Sequence, residues 1–284
     1  NSYSSFISFY PANRLVPEAE YGRAWAYDKL GRAKEAKEAF KGLAAKYPDG
    51  AHAPDAWYKV GEYSYKEKDY PEVAAAFEKY LALRPDSKLK ADADYQLGVA
   101  REALGQDEAA AQAFIAASGA GGPLKAPSAL RAGRLLAKLG KGAEALPYFD
   151  TAAGDPDFAS EALVGKGRAL LQANKYDEAV VALKKASEHT ATAETRAEGY
   201  YLAGEASVAL RDYKGAVLEY TKSTVVGDTK FKPLSLMGIA GAYEKLGENE
   251  KALGAYKKFL DAYQSDEKAS EAQAAIKRLE GKGL

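Results

Sequence analysis

A small residue recurs along this chain at nearly constant spacing, and this recurrence constrains the fold more than any other feature. The seven recurring residues lie 34 to 37 positions apart: Ala24, Gly61, Gly98, Gly133, Gly167, Gly204 and Ala240. Ala or Val follows each of them after 12 residues, and a large apolar residue follows after 16. The large residues are Phe40, Phe77, Phe114, Phe149, Leu183, Tyr220 and Tyr256. A period of this length predicts stacked copies of one supersecondary unit.

The unit is clearest between Asp55 and Pro85. Gly61 has no side chain, so the helix that contains it can approach a neighbouring helix closely. Val73 and Phe77 lie four residues apart and therefore share one helix face. Pro85 ends this second helix, because proline cannot continue a helix. The stretch predicts two antiparallel helices whose apolar faces are buried only when further copies stack on them.

The order of key residues in this stretch resembles the tetratricopeptide signature. These residues are Trp57, Val60-Gly61, Val73, Phe77 and Pro85. The resemblance covers nearly the whole chain and implies an all-α fold, a right-handed superhelical α-solenoid of antiparallel helix hairpins. The predicted repeats are 17–53, 54–90, 91–125, 126–159, 160–196, 197–232 and 233–265.

The two ends of the chain are expected to differ from the repeats. Residues 1–16 are predicted to be the remnant of a truncated upstream repeat, because Tyr3, Phe6 and Tyr10 keep the spacing of a second helix. The first residue is Asn1 rather than Met, which suggests a chain cut from a longer protein. Residues 266–284 are predicted to form a capping helix, since a solenoid end requires a polar outer cover.

A glycine- and proline-rich segment interrupts the pattern between the third and fourth repeats. Residues 118–128 carry three glycines and two prolines, and they form either a hinge or a longer loop.

The turn between the two helices of a repeat also varies. Most first helices end in Leu-Gly, which favours a left-handed cap. Lys68-Asp69 and Arg211-Asp212 replace that pair, so we expect these two turns to differ.

The length of the first repeats, 37 residues, resembles a subgroup of bacterial cell-envelope tetratricopeptide proteins, the YbgF-like and BamD-like proteins. This resemblance implies a periplasmic or cell-envelope location, with the cytoplasm as the alternative. It also implies a scaffold that binds protein or peptide partners.

Charge and composition exclude several function classes. The 40 basic and 40 acidic residues cancel, whereas nucleic-acid binders carry a basic excess. The chain has no cysteine, so it forms no disulfide and performs no thiol chemistry. No apolar run reaches the ~18 residues of a transmembrane helix, so we expect no direct membrane insertion.

We find no sequence pattern for catalysis, a metal or a cofactor. The two histidines, His52 and His189, fall in predicted loops of different repeats, where a surface role is the simplest interpretation. No phosphate-binding glycine loop is present. The chain is therefore predicted not to be an enzyme.

In the tetratricopeptide architecture the first helix of each hairpin lines the concave surface. Positions three before, one after and four after the small residue then predict a ligand groove rich in aromatic and charged side chains. Its candidate residues are Tyr21, Trp25, Tyr58, Glu62, Tyr65, Tyr95, Arg134 and Arg168. Aromatic rings and arginines are suited to holding an extended peptide. The alternative is that the tyrosines mainly pack between neighbouring repeats.

The sequence favours a non-catalytic scaffold that binds a partner segment in this groove. Two alternatives remain open. One is a helical arm of a larger enzyme that acts on the cell wall. The other is a structural solenoid that assembles with copies of itself, giving a homo-oligomer.

Overall fold

The computed structural model describes residues 2–187, 189 and 191–281. Within these residues the chain forms sixteen α-helices, one 3-10 helix and no strand. The α-helices are α1 Ser2–Phe9, α2 Val16–Lys29, α3 Ala33–Lys46, α4 Ala53–Glu67, α5 Tyr70–Leu83, α6 Lys90–Ala103, α7 Asp107–Gly119, α8 Lys125–Lys138, α9 Gly142–Ala153, α10 Ala159–Gln172, α11 Tyr176–Ala186, α12 Ala193–Ala209, α13 Tyr213–Val225, α14 Phe231–Lys245, α15 Asn249–Ala262 and α16 Ala269–Glu280. The 3-10 helix is Gly122–Leu124.

The helices belong to two compact units, Asn1–Leu135 (unit 1) and Leu136–Leu284 (unit 2). In unit 1, each helix from α1 to α6 packs on the helix that follows it. In unit 2 the same holds from α9 to α15, and α12 also packs on α10 and α14. The predicted all-α class and the stacking of helix hairpins are therefore confirmed in each unit.

The three recurring positions form the centre of each hairpin. The large residues at the third position are all buried, from 0% exposed for Phe40 to 6% for Tyr256. The Ala or Val residues at the second position are all 0% exposed. A Cβ carbon added to Gly61 would come within 2.7 Å of the Phe77 ring, and one on Gly204 within 2.4 Å of Tyr220. The glycines therefore let an aromatic ring lie against the backbone of the first helix.

A second set of glycines, which the recurring spacing does not predict, faces the preceding hairpin. A Cβ carbon on Gly165 would come within 2.5 Å of Phe149, and one on Gly238 within 2.7 Å of Tyr220. Tyr220 thus lies between glycines of two different helices, α12 and α14. Gly165 and Gly238 stand two positions before the recurring small residue of their repeats. The Tyr220 ring therefore packs on the first helix of its own hairpin and on the first helix of the next hairpin.

The prediction that the Lys68 and Arg211 turns differ is wrong. Lys68 has φ 60° and Arg211 has φ 61°, close to the 69° of Gly31 in an ordinary Leu-Gly turn. The aspartate that follows each of them caps the next helix, since Asp69 accepts a hydrogen bond from the Glu72 amide and Asp212 from the Gly215 amide. The left-handed turn is therefore kept without glycine, and Asn174 adopts it as well, with φ 58°.

The ends of the chain are helical. In α1 the Tyr3 ring packs on Gly22 of α2, so that a Cβ there would lie 2.7 Å from it. In α16, Ala272, Ala275 and Leu279 are buried against α15 and α14. Residue 1 of the predicted remnant and residues 282–284 of the predicted cap lie outside the described residues.

The segment between repeats three and four is short. Only residues 120–124 separate α7 from α8, and they include Gly121 and Gly122, both with positive φ, and the 3-10 turn. The left-handed backbone at these two positions explains why glycine occurs twice there.

Candidate ligand-binding face of unit 1

Seven of the eight residues predicted to line a groove lie in unit 1. They are Tyr21 and Trp25 on α2, Tyr58, Glu62 and Tyr65 on α4, Tyr95 on α6, and Arg134 on α8. The eighth, Arg168, lies on α10 in unit 2. The structure brings Tyr58, Glu62 and Tyr65 into one cleft and places the others in separate surroundings.

Tyr21 and Trp25 belong to an aromatic cluster around Phe40. Their ring centroids lie 6.0 and 5.6 Å from that of the buried Phe40, both in edge-to-face contact. His52 stacks on Tyr21 with centroids 4.1 Å apart. The Lys59 amine lies 5.0 Å from the Trp25 centroid. These contacts already occupy much of both rings, so packing is the first role of this pair.

Tyr58, Glu62 and Tyr65 line a cleft of about 650 Å³ between α4 and α6. The other lining residues are Lys66, Phe77, Leu89, Asp92, Gln96, Pro123 and Leu124. Phe77 is 1% exposed and Tyr65 is 40% exposed. The cleft thus combines an aromatic interior with charged groups and with the loop that follows α7.

The polar groups of the cleft are unevenly paired. The Tyr58 hydroxyl donates to Asp92 Oδ2 at 2.5 Å, and its ring packs edge-on against Phe77 and Tyr80. Burial and this hydrogen bond raise the pKa of the Tyr58 hydroxyl above its ordinary value. The Lys59 amine donates to Glu62 at 2.6 Å. Gln96 Oε1 is buried without a hydrogen-bond partner.

Tyr95 lies in a comparable setting one hairpin further on. Its ring centroid is 5.5 Å from that of Phe114. The Arg131 guanidinium lies 5.6 Å from the Tyr95 centroid and donates to Glu102 at 2.8 Å. Because Arg131 covers this aromatic face, Tyr95 is not part of the open cleft.

The two predicted arginines lie apart from the cleft around Tyr58. Arg134 is exposed and lines a smaller cleft of about 340 Å³ with Val99, Glu102 and Arg131. Arg168 in unit 2 forms an ion pair with Glu198 of α12. That pair joins α10 to α12 and leaves Arg168 with a structural partner of its own.

Sequence reasoning missed Asp92 and Gln96. They stand six and two positions before Gly98, whereas the predicted groove comprised only the positions three before, one after and four after the small residue. Both residues are on α6 and face the Tyr58 side of the hairpin that precedes them. Gln96 could have been found by comparing, from repeat to repeat, the residue that stands two positions before the recurring small residue.

Unit 2 contains a cleft of about 640 Å³ of its own. It lies among α9, α10 and α11, and its apolar lining includes Leu163, Leu170 and Val181. Val181 is 69% exposed. No residue of the predicted groove lines this cleft.

Neither a metal site nor a membrane span is found among the described residues. Across residues 2–187, 189 and 191–281, no group of three or more His, Cys, Asp or Glu side chains is placed to hold a metal ion. No helix within that part of the chain has the length and apolar character needed to cross a membrane. His52 packs on Tyr21, as described above, and His189 lies between α11 and α12.

Three family models match segments of the chain. The model described as outer membrane lipoprotein (YfiO) matches residues 15–117. Two tetratricopeptide-repeat models match residues 130–189 and 234–265. No curated protein matches the chain in sequence.

Several solved structures have a similar fold. The C-terminal part of a TPR repeat-containing protein from Cytophaga hutchinsonii is 22% identical, with TM-score 0.64, covering 89% of this chain and 98% of that one. The apo form of RapI is 14% identical, with TM-score 0.61, covering 94% and 81%. PilF of Pseudomonas aeruginosa is 18% identical, with TM-score 0.52, covering 78% and 97%. At these identities the similarity concerns the fold alone.

Proposed function

Since this chain is a tetratricopeptide-repeat protein, we propose that it is a non-catalytic scaffold that binds a segment of a partner protein on the α4–α6 face of unit 1. The cleft of about 650 Å³ carries this proposal. It is open to solvent, lined by aromatic rings, and it holds carboxylates and an unpaired amide oxygen. Such a combination suits a peptide, whose side chains and backbone need both apolar contact and hydrogen bonds.

The aromatic side chains of the cleft are the main source of binding energy in this proposal. Tyr58 is held by Asp92 and by the Phe77 ring, so little conformational freedom remains to be lost when a ligand packs on it. Tyr65 is more exposed and offers contact area at the rim. Rigid aromatic residues of this kind commonly dominate the energetics of interfaces.

We place the protein in the bacterial cell envelope as part of the same proposal. The match of residues 15–117 to the outer membrane lipoprotein family supports this location. Fractionation of native cells with an antibody against the chain tests it. Recovery in the envelope fraction is expected, and recovery only in the cytoplasmic fraction contradicts the location.

Substitutions in the cleft test the scaffold role. The purified chain is used to capture partners from native extract, and bound proteins are compared between the wild type and two variants. Tyr58→Ala removes the aromatic ring that Asp92 holds in the cleft, while Tyr65→Ala with Glu62→Gln changes more exposed side chains and preserves the core. Both variants are expected to lose the captured partner while keeping the helical circular dichroism of the wild type.

The matched control is Tyr10→Ala, which removes a tyrosine that is 58% exposed and lies outside the cleft. This variant is expected to capture the same partner in the same amount as the wild type. If the Tyr65→Ala, Glu62→Gln variant captured the same partner in the same amount, the cleft would not be the binding site.

A further inference from the structure

One position of the repeat distinguishes the cleft from its neighbours. The residue two positions before the recurring small residue is Lys59 on α4, Gln96 on α6 and Arg131 on α8. Unit 1 therefore has a cation at this position in two helices and a neutral amide in the helix between them.

Arg131 shows what the cation does. Its guanidinium carbon lies 5.6 Å from the Tyr95 ring centroid and 5.4 Å from that of Phe114. The same guanidinium donates to Glu102 at 2.8 Å. The arginine thus closes the aromatic face of the preceding hairpin by cation–π contact and by an ion pair.

Each pair of successive first helices (α2 and α4, α4 and α6, α6 and α8) meets at one junction, and Lys59 acts in a similar way at the α2–α4 junction, two before that of Arg131. Its amine lies 5.0 Å from the Trp25 centroid and donates to Glu62 at 2.6 Å. The α2–α4 and α6–α8 junctions are therefore each closed by a cation of this chain, Lys59 and Arg131 respectively. Each cation contacts an aromatic ring and pairs with a carboxylate.

At the α4–α6 junction, between these two, a glutamine takes the position that Lys59 and Arg131 hold in the other junctions. Tyr58 and Phe77 lie 37 residues before Tyr95 and Phe114 and are in the same edge-to-face contact, with centroids 5.5 Å apart. Gln96 stands where Arg131 stands in the next junction, and its Oε1 is buried without a partner. The open cleft of about 650 Å³ lies here.

One carboxylate of the cleft favours a cation. Asp92 and Glu62 both line the cleft, but Glu62 is paired with Lys59, so Asp92 is the carboxylate that a ligand cation would meet. Lys66 is the one cation among the lining residues. The Lys66 amine lies 5.7 Å from the ring of Tyr63, which is not a lining residue. In the part of the chain that the structure describes, no lysine or arginine forms an ion pair with Asp92.

We propose that this cleft binds an arginine side chain of the partner segment, in the manner in which Arg131 fills the next junction. The inference rests on the scaffold function proposed above and specifies the chemistry of its ligand. The guanidinium packs over the half-buried Tyr58 ring and donates to the Asp92 carboxylate. A further N–H of the guanidinium satisfies Gln96 Oε1.

Arginine fits this site better than lysine. Its planar guanidinium stacks on aromatic faces and carries five donors, so one group satisfies both a carboxylate and an amide oxygen. A lysine amine is more strongly hydrated and is a compact charge, and its transfer into a partly aromatic cleft is less favourable.

The probe is a peptide selected by the full chain from a phage-displayed library of random 12-residue sequences. The selected peptide is synthesised with each arginine in turn replaced by citrulline, which has a similar shape without the charge, and by lysine. Affinity is measured by fluorescence anisotropy. Replacement of the critical arginine by citrulline is expected to weaken binding about tenfold, and replacement by lysine by less than that.

Gln96→Arg is the decisive variant, because it places a guanidinium of the chain itself in the cleft. It is expected to weaken binding of the peptide about tenfold, since the site is then filled. Gln112→Arg, at an exposed position of α7, adds the same charge elsewhere and is the matched control. Asp92→Asn is a second variant that keeps an acceptor for Tyr58 and removes only the charge, and it is expected to weaken binding.

The outcomes separate this inference from the function on which it rests. A selected peptide that binds equally well with citrulline, or equally well to Gln96→Arg and Asp92→Asn, overturns the arginine site, while its binding still supports a scaffold. Failure of the library to yield any binding peptide contradicts both. Loss of binding in Gln112→Arg as well as in Gln96→Arg also overturns the inference, because added charge alone then explains the effect.

Discussion

A Cβ carbon on Gly61 would come within 2.7 Å of the Phe77 ring, which is 1% exposed. The same relationship joins Gly98 to Phe114, at 2.8 Å. Real Cβ atoms do not approach carbon this closely, so each ring can occupy its site only because the facing residue is glycine. The α4–α5 and α6–α7 hairpins are therefore held at a separation that a single methyl group disturbs.

Substitution of Gly61 is predicted to destabilise the protein. Gly61→Leu forces the buried Phe77 ring to move, and overpacking of this kind costs about 1–3 kcal/mol of the free energy of unfolding. Gly42→Ala is the control, because Gly42 lies in α3 with no atom within 4 Å of its added Cβ. It is expected to stabilise by about 0.5–1 kcal/mol through helix propensity. Urea unfolding of both variants measures the difference, and an unchanged Gly61→Leu midpoint contradicts the packing.

The sequence predicted these contacts because they repeat. Gly61 and Phe77 are separated by a fixed number of residues, and seven copies of that spacing made the interpretation secure. It did not predict the contact of Gly238 with Tyr220, because glycine occurs at that position in only some repeats. A contact between one hairpin and the next depends on how the helices are placed, which a spacing within one hairpin does not define.

Turn geometry gives a second prediction. Lys68 has φ 60°, a backbone conformation that costs a non-glycine residue roughly 1 kcal/mol. Lys68→Gly is expected to raise the free energy of unfolding by about 0.5–1 kcal/mol, because it removes this strain. In the opposite direction, Gly105→Ala at φ 71° is expected to lower it by about 1 kcal/mol. Thermal unfolding checks both, and equal midpoints for the two variants would mean that backbone strain does not control these turns.

The candidate site was predicted only in part. Tyr58, Glu62 and Tyr65 were predicted to lie on one surface from helical spacing, and the structure places them in one cleft. The shape of that cleft depends on Gln96, which leaves space where Arg131 fills it in the next junction. A single repeat does not show that Gln96 is smaller than the residue at the same position elsewhere. Only a comparison with Arg131 in the next repeat predicts the open space.

Glu72 gives a third prediction, on acid stability. It accepts hydrogen bonds from Lys41 at 2.5 Å, Ser64 at 2.8 Å and Lys37 at 2.9 Å. Burial raises the pKa of Glu72, but the hydrogen bonds from the two lysines and Ser64 outweigh it and lower the pKa to about 2. The folded state therefore favours the carboxylate, and this stabilisation is present above the unfolded pKa of about 4.3 and is lost as pH falls towards 2.

Glu72→Gln is expected to lower the free energy of unfolding at pH 7 by about 1–3 kcal/mol, because it leaves the half-buried lysines with fewer carboxylates. As pH falls from 5 to 2, most of this difference in the free energy of unfolding between the wild type and Glu72→Gln is expected to disappear. Denaturant unfolding across that range measures it. Glu178→Gln, which breaks an exposed ion pair with Lys175, is the control and is expected to follow the wild type. Parallel acid curves for the wild type and Glu72→Gln contradict the prediction.

Buried tyrosine hydroxyls give the last prediction, on alkaline stability. Tyr220 is 1% exposed and its hydroxyl donates to Glu205. Burial, together with the negative charge of Glu205, raises the pKa of Tyr220, and burial raises the pKa of Tyr201 to about 12. The folded state favours the protonated phenols, so their contribution is complete below the unfolded pKa of about 10 and falls as pH rises above it.

We therefore expect the free energy of unfolding to be nearly constant from pH 7 to 9 and to decrease between pH 10 and 11. Tyr220→Phe is expected to be less stable than the wild type at pH 7 by about 0.5–1.5 kcal/mol, because one hydrogen bond is lost. Its decrease at high pH is expected to be smaller, so the two curves converge, because phenylalanine has no proton to lose. Tyr10→Phe changes an exposed ring and is expected to keep the wild-type curve. If Tyr220→Phe declined as steeply as the wild type above pH 10, ionisation of Tyr220 would not contribute to alkaline unfolding.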